Sequence, residues 1–251
     1  MMARVVMLAG RGDSTNIIFN AIEPDLVILE DRVSPLRVIR RRIKKLGLGT
    51  VVGQVLFQAI IVPLLRRLSK KRVREIKRGN GLDDTPIPND KAIYIHSVND
   101  DSAIMALKRA NPDVVVVNGT RIIAEKVLHS VPATFLNTHS GITPLYRGAH
   151  GGYWALVKKD RANCGVTIHV VDAGIDTGGI VYQARIEPGR ADNFVTYPYL
   201  QLAAAIDLLR RAISEAANGT IVRLPPPTGD SRLWTHPTAV EYLRNLFAAV
   251  R

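Results

Sequence analysis

Four consecutive valines, Val114–Val117, do most to limit what this chain can fold into. A strand that is apolar at every position is covered on both faces, as in parallel sheets flanked by helices. The surrounding sequence follows the same plan. Arg4–Leu8, Leu26–Leu29, Ile93–Ile95 and Thr134–Leu136 are short apolar runs that read as strands. Asn16–Ile22, Asp100–Arg109 and Arg121–Leu128 between them read as helices, the second capped by Asn99 or Asp100. This alternation predicts an α/β protein with a Rossmann-like, doubly wound, mostly parallel sheet. Further on, Ala149–Lys158 and Thr196–Ala217 read as helices and Val166–Val171 and Ile180–Ile186 as strands. Leu224–Pro227 reads as a linker and Thr238–Ala249 as a terminal helix. The expected organisation is one catalytic domain, residues 1–223, with a basic and apolar insert at 37–78, then a Pro-linked helical tail, residues 224–251.

The charge is concentrated. The chain carries +12, yet residues 37–78 alone hold 14 Lys and Arg against one acid, Glu75. That stretch therefore carries +13 and the remainder −1. Cys164 is the single cysteine, which excludes an intrachain disulfide and a Cys-rich zinc site and suits the cytoplasm. The opening MMARVVMLAGRG turns polar too soon for a signal peptide and reads as a first strand.

Ligands of doubly wound sheets bind beyond the carboxyl ends of the strands. Three polar segments fall there: Gly10–Asn16, Asn118–Ile123 and the stretch FLNTHSGITPLYRGAHGGYWAL. In the last, Asn137 and His139 are two residues apart, so in an extended chain their side chains share a face. Asp172 and Asp176 follow in a glycine-bearing loop between two strands. An amide, an imidazole and a carboxylate suit acyl transfer to an external amine. Asn137 can donate to a developing oxyanion. His139 can donate to the same oxygen or move a proton. Asp176 can orient the imidazole, raise its pKa and help to accept the amine proton. No metal is required.

NTHSGITPLYRG followed by GVTIHVVDAGIDTGGIVYQ resembles the signature of folate-dependent formyltransferases, the family of the glycinamide ribonucleotide, methionyl-tRNA and nucleotide-sugar N-formyltransferases. His139 and Asp176 stand 37 residues apart, close to the family's spacing between its N-x-H and D-x-G motifs. The resemblance spans residues 92–186 and, more loosely, the first 30. It implies Asn137, His139 and Asp176 as the catalytic set and 10-formyltetrahydrofolate as the formyl donor. It also implies a pterin site between Arg121, Ile122 and Ile123 on one side and the loop of Asp172 and Gly174 on the other. Ser140–Thr143 departs from the family's P-S-L-L. GRGDSTN matches only loosely the turn that holds a phosphate in the glycinamide ribonucleotide enzyme, and Asp13 would repel an anion there. Gly10, Gly12 and Ser14, with the helix N-terminus, remain candidates for substrate binding. So do Arg147, which follows the motif directly, and His169 of the GVTIH strand, which reads equally as a satisfied sheet histidine. His150 reads as an anion contact or a loop-surface residue. Trp154, Trp234 and Tyr242 read as packing residues.

The acceptor this favours is a small-molecule primary amine, an amino sugar on a nucleotide or other anionic carrier. The alternatives are glycinamide ribonucleotide, water in a formyltetrahydrofolate hydrolase, and an inactive folate-binding or membrane-surface protein. A homodimer is compatible with the amphipathic terminal helix. Leu46–Leu65 lacks charge for twenty residues between basic clusters, long enough to span a bilayer. The strands on either side belong to one sheet, which argues against a span. Two readings remain: a buried helix or helical hairpin with solvated basic ends, and an element lying on the inner membrane surface. Nucleic-acid binding ranks last, because few aromatic residues interleave with the cations.

Overall fold

The structure, a computed structural model, describes residues 3–247. The strands are β1 (Val5–Gly10), β2 (Leu26–Glu30), β3 (Ala92–Ile95), β4 (Val114–Asn118), β5 (Thr134–His139), β6 (Tyr146–Gly148), β7 (Gly165–Val170), β8 (Ile180–Arg185) and β9 (Arg232–Trp234). The helices are α1 (Asp13–Ile22), α2 (Pro35–Leu46), α3 (Leu48–Leu56), α4 (Val62–Leu68), α5 (Lys70–Gly79), α6 (Asp101–Ala110), α7 (Glu125–Leu128), α8 (Gly151–Val157), α9 (Tyr197–Ala217) and α10 (Ala239–Phe247). The last two residues of the expected terminal helix, Ala248 and Ala249, lie outside the described residues.

Seven strands form one sheet in the order β3-β2-β1-β4-β5-β7-β8. The pairs from β3 to β5 are parallel, and β7 and β8 join antiparallel. The sheet is thus mostly parallel and doubly wound, with its switch point between β1 and β4. Both faces are covered because both faces of the strands are apolar. In β1, Val5, Met7 and Ala9 join the core under α1 and α9, while Val6 and Leu8 join the core under α6 and α7. In β4, Val114 and Val116 face the first core and Val115 and Val117 the second. The period of two along a strand does this sorting.

The segment 121–128 is mostly not helical, and only Glu125–Leu128 forms a turn of helix. Side chains from elsewhere take the backbone donors that a longer helix would leave free at its start. Arg121 N–H donates to Glu30 Oε1 at 2.6 Å, and Ala124 N–H donates to Asn99 Oδ1 at 2.7 Å. The segment is held open across the sheet edge instead.

A third, aromatic core contains Phe57, Tyr153, Trp154, Phe194, Trp234 and Tyr242. Trp154 and Trp234 stack at 4.7 Å between ring centres, as packing residues should. This core fastens both appendages. The tail returns along the body: β9 pairs parallel with β6, and Tyr242 of α10 is buried. The insert runs between β2 and β3. Residues Leu48–Leu68 form one helical rod, α3 and α4 joined by a π turn, Phe57–Ile61. Pro63 explains the wide turn. It has no N–H and its ring displaces the carbonyl four residues back, so Val62 N–H bonds instead to the Phe57 carbonyl. The expectation of a buried helix is corrected. Only one side of the rod is covered, and α2 has no buried residue at all.

Phe57 carries the rod's attachment. It is fully buried, with ring contacts to Phe194 at 4.9 Å and Tyr242 at 5.1 Å. Phe57→Ala is expected to cost about 3–5 kcal/mol, read from the urea midpoint. A cost below about 1 kcal/mol would show that this cluster does not hold the rod.

Candidate active site

A cavity of about 440 Å³ opens beyond the carboxyl ends of β4 and β5. Asn118, Asn137, His139, His169 and Asp176 line it. Asn137 and His139 come from β5, and the antiparallel register of β5 with β7 sets His169 directly opposite Asn137. In the β7–β8 pairing Ile168 faces Tyr182 and His169 faces Ile180, so Val181 is the extra residue of a bulge on β8, opposite that histidine. Asp176 arrives on the loop from β7 to β8 and meets both imidazoles.

His139 is buried, and its Nε2 lies 2.7 Å from the Tyr146 carbonyl oxygen. A carbonyl only accepts, so this nitrogen carries the hydrogen. Gly141 permits the approach. A Cβ there would overlap the Tyr146 carbonyl oxygen and stand 2.8 Å from His139 Nε2. The other ring nitrogen, Nδ1, is 3.3 Å from Asp176 Oδ2. Burial holds the His139 pKa below its ordinary value, against the opposing pull of Asp176 and the Tyr146 carbonyl. Asp176 does pull this pKa upward, as expected from the sequence, but burial sets the net direction. The imidazole is only 6% exposed, and desolvation exceeds the carboxylate's attraction.

Burial alone would raise the pKa of Asp176. It lies below the usual carboxylate range instead, and the Gly148 N–H donates to Oδ2 at 2.9 Å. Asp176 has a φ of 51°, in the left-handed region that a non-glycine residue enters at a cost of about 1–3 kcal/mol. The loop is braced to keep it there. Arg147 Nη1 donates to the Ile175 carbonyl at 3.2 Å. The Asp172 carboxylate accepts from Gly174 N–H at 3.0 Å and from the Thr177 hydroxyl at 2.8 Å.

His169 has a satisfied ring. Its Nδ1 donates to the Val170 carbonyl at 2.9 Å, which leaves Nε2 to accept from Asn137 Nδ2 at 3.0 Å. That bond fixes which end of the Asn137 amide is which. It also leaves the second amide hydrogen for a ligand. The arrangement offers one aimed donor, one ionised carboxylate and one neutral imidazole whose lone pair faces that carboxylate.

Arg121, Ile122 and Ile123 also line the cavity, as do Asp172 and Gly174. The Arg121 guanidinium turns away, donating to the His96 carbonyl at 3.0 Å and the Asp31 carbonyl at 2.9 Å. Ile122 is half exposed and Ile123 is buried. Arg147 does not line the cavity, and its contact is with the loop. Gly10, Gly12 and Ser14 do not line it either. Gly10 borders an adjoining groove with Arg11, Arg32 and Arg121, and Ser14 Oγ accepts from Asn118 Nδ2 at 3.1 Å. Asp13 faces the Tyr199 hydroxyl at 2.9 Å and Lys77 at 3.7 Å, so its charge is engaged away from that groove. Sequence reasoning missed the Tyr146 carbonyl, the Gly148 N–H and Phe194 of the cavity wall. The Y-R-G triplet was the signal for the first two, but their contribution is made by backbone.

The α/β fold sets this Asn–His–Asp constellation at the carboxyl edge of the sheet. The chain belongs to the formyl transferase family, whose model matches residues 69–197, just over half of the sequence. A methionyl-tRNA formyltransferase of Thermodesulfovibrio yellowstonii is 31% identical over 134 residues, covering 53% of this chain and 43% of that protein. This chain thus spans less than half the length of that curated relative. A sugar N-formyltransferase of a Shewanella species superposes with a TM-score of 0.56 at 14% identity, covering 92% of this chain and 76% of that one. Glycinamide ribonucleotide transformylase 1 of Symbiobacterium toebii gives 0.57 at 19%, covering 90% and 92%. At these identities the two structures share the fold.

His150 lines the cavity and its Nε2 is 2.9 Å from His236 Nδ1 of the tail. Burial, then His236 and Arg42, push the His150 pKa down to about 3, and burial and Arg42 push His236 down to about 4. Both are neutral in the fold, which corrects His150 as a charged anion contact. Unfolded imidazoles take a proton near 6.5, so this pair's contribution is complete above 6.5 and shrinks as pH falls toward about 4. The loss is roughly 1 kcal/mol per pH unit for each ring. Urea melts across that window should show the slope, and a His150→Gln/His236→Gln variant should show less of it. Equal slopes would refute the assignment.

Proposed function

We propose that this protein transfers a formyl group from 10-formyltetrahydrofolate to a primary amine. The observation that carries the reading is the convergence of Asn137, His139 and Asp176 on one cavity in a chain of the formyl transferase family. The amine nitrogen attacks the formyl carbon and the carbonyl oxygen becomes an oxyanion. The free amide hydrogen of Asn137 donates to it. As the new C–N bond forms, the amine gives up a proton to the pair Asp176 and His139. In the resting site Nδ1 and Oδ2 face each other with no hydrogen between them, and one added proton turns that contact into a hydrogen bond. The tetrahedral centre then collapses and the bond to the folate nitrogen breaks, with the proton returned to that nitrogen. Ile122, with the loop of Asp172 and Gly174, lines the side proposed for the pterin.

For the acceptor the reading is an amino sugar on a nucleotide or similar anionic carrier. The support is the groove beside the cavity, where Gly10 and the cations Arg11 and Arg32 lie next to the shared wall Gly119–Arg121. Glu30 and Asp31 line the same groove, Asp31 3.6 Å from Arg11, so Arg32 is the cation offered to a phosphate there.

Tetrahydrofolate release from 10-formyltetrahydrofolate, measured with a panel of 3-amino and 4-amino nucleotide sugars and glycinamide ribonucleotide, tests the reading. Release that depends on an amine, with a formylated product by mass, is the expected result. Release with no amine would replace it with a hydrolase, and no release with any amine would refute transfer. Asp176→Asn should lower kcat by about 10²–10⁴-fold with the fold retained by circular dichroism. Near-normal turnover would remove Asp176 from the mechanism. Protonating His139 blocks proton acceptance, so kcat should fall with acid, and its midpoint should lie below 6.5 because burial lowers that pKa. A midpoint above 6.5 would contradict a buried, neutral His139.

A further inference from the structure

The rod Leu48–Leu68 is attached to the body along one side only. Val51, Gln54, Phe57 and Val62 face inward, and Gln54 Nε2 donates to the His236 carbonyl at 2.8 Å. On the outer side Leu48, Val52, Leu56, Ile60, Leu64 and Leu68 recur at every fourth residue, and each is 46–71% exposed. In an α-helix a spacing of four advances about 40° per step, because a turn takes 3.6 residues, so such a stripe winds around the axis. The wider π turn in the middle takes up part of that drift. Both ends of the stripe are cationic. Arg37, Arg40, Arg41, Lys44 and Lys45 of α2 are exposed at one end. Arg66, Arg67, Lys70, Lys71 and Arg74 are exposed at the other.

A contiguous apolar stripe rimmed by charge marks an interaction site. We propose that the outer side of the rod and its two cationic ends form a peripheral docking surface for an anionic phospholipid bilayer. The aliphatic stripe enters the boundary between headgroups and acyl chains, and the flanking cations meet the phosphates. Charge selects this occupant. A second copy on the same face would set one +13 segment against another. A transmembrane course is excluded by the sheet. β2 and β3, on either side of the insert, are hydrogen-bonded parallel neighbours, and one crossing would part them. The surface connects to the cavity by a short path. Gln58 Nε2 is 3.0 Å from His236 Nδ1, and that atom is 2.9 Å from Nε2 of cavity-lining His150.

Flotation of the full chain with vesicles of phosphatidylcholine alone, and of phosphatidylcholine with phosphatidylglycerol, tests the proposal. The chain should float with the anionic vesicles only and be released by high salt. Ile60→Ser/Leu64→Ser should abolish flotation. Lys70→Glu/Lys71→Glu should weaken partition at least 30-fold, roughly what loss of two surface cations implies. All four positions are exposed, so both variants should melt as the parent does. No flotation, equal flotation with both vesicles, or parental flotation by both variants overturns the proposal. So does a salt-stable dimer in solution that Ile60→Ser/Leu64→Ser dissolves.

Discussion

The Nε2 hydrogen of His139 is committed to the Tyr146 carbonyl, 2.7 Å away in a buried site, and the other groups at the cavity take their roles from that bond. With the hydrogen there, the lone pair of Nδ1 must face Asp176. The imidazole is buried and cannot ease this contact by solvation, while Asp176 lines the cavity. Burial keeps the ring neutral, and Asp176 stays ionised despite its own desolvation, with the Gly148 N–H donating to Oδ2. The result is a pair that gains a hydrogen bond when it receives a proton.

The backbone is built to hold that pair. Gly141 leaves space for the carbonyl where any side chain would close it. Asp176 is held in the left-handed region by bonds from β6 and by a loop tied across Asp172 and Thr177. The β5–β7 register sets His169 opposite Asn137, which brings a second imidazole near the same carboxylate and leaves its Nε2 to orient the Asn137 amide. The tail contributes at one remove, since β9 is the partner of β6 and β6 supplies both backbone groups. The appendages of this fold therefore support the cavity wall, and the rod of the insert fastens the tail through Gln54 and Phe57.

The sheet was legible because its signal is local. The valines of β4 state burial on both faces without reference to any other segment, and each of the seven strands of the main sheet was found within three residues of its ends. Asn137, His139 and Asp176 were legible because strand periodicity and loop spacing put them on one edge. The Tyr146 carbonyl and the Gly148 N–H were not, since backbone groups have no letter of their own. Arg121–Ala124 was misjudged as helix because Glu30 and Asn99, distant in sequence, capture its donors. The upward pull of Asp176 on the His139 pKa was legible, but the net direction, set by burial, was not. An acidic neighbour can be read from spacing, whereas the depth of burial depends on the whole packing. The insert showed its charge pattern plainly, but which side of the rod would be covered depended on Phe194 and Tyr242, far along the chain.

The most direct test of this account is the protonation state of His139, observed through its ring nitrogens by long-range nitrogen–proton correlation in the folded protein. The account requires a neutral ring with the hydrogen on Nε2, persisting as pH falls to the ordinary imidazole value of 6.5. Replacing Gly141 with Ala should disturb that signal by pushing the Tyr146 carbonyl away. A hydrogen on Nδ1, or an imidazolium already formed at neutral pH, would contradict the account, because Asp176 and His139 would then have no lone pair left between them for the amine's proton.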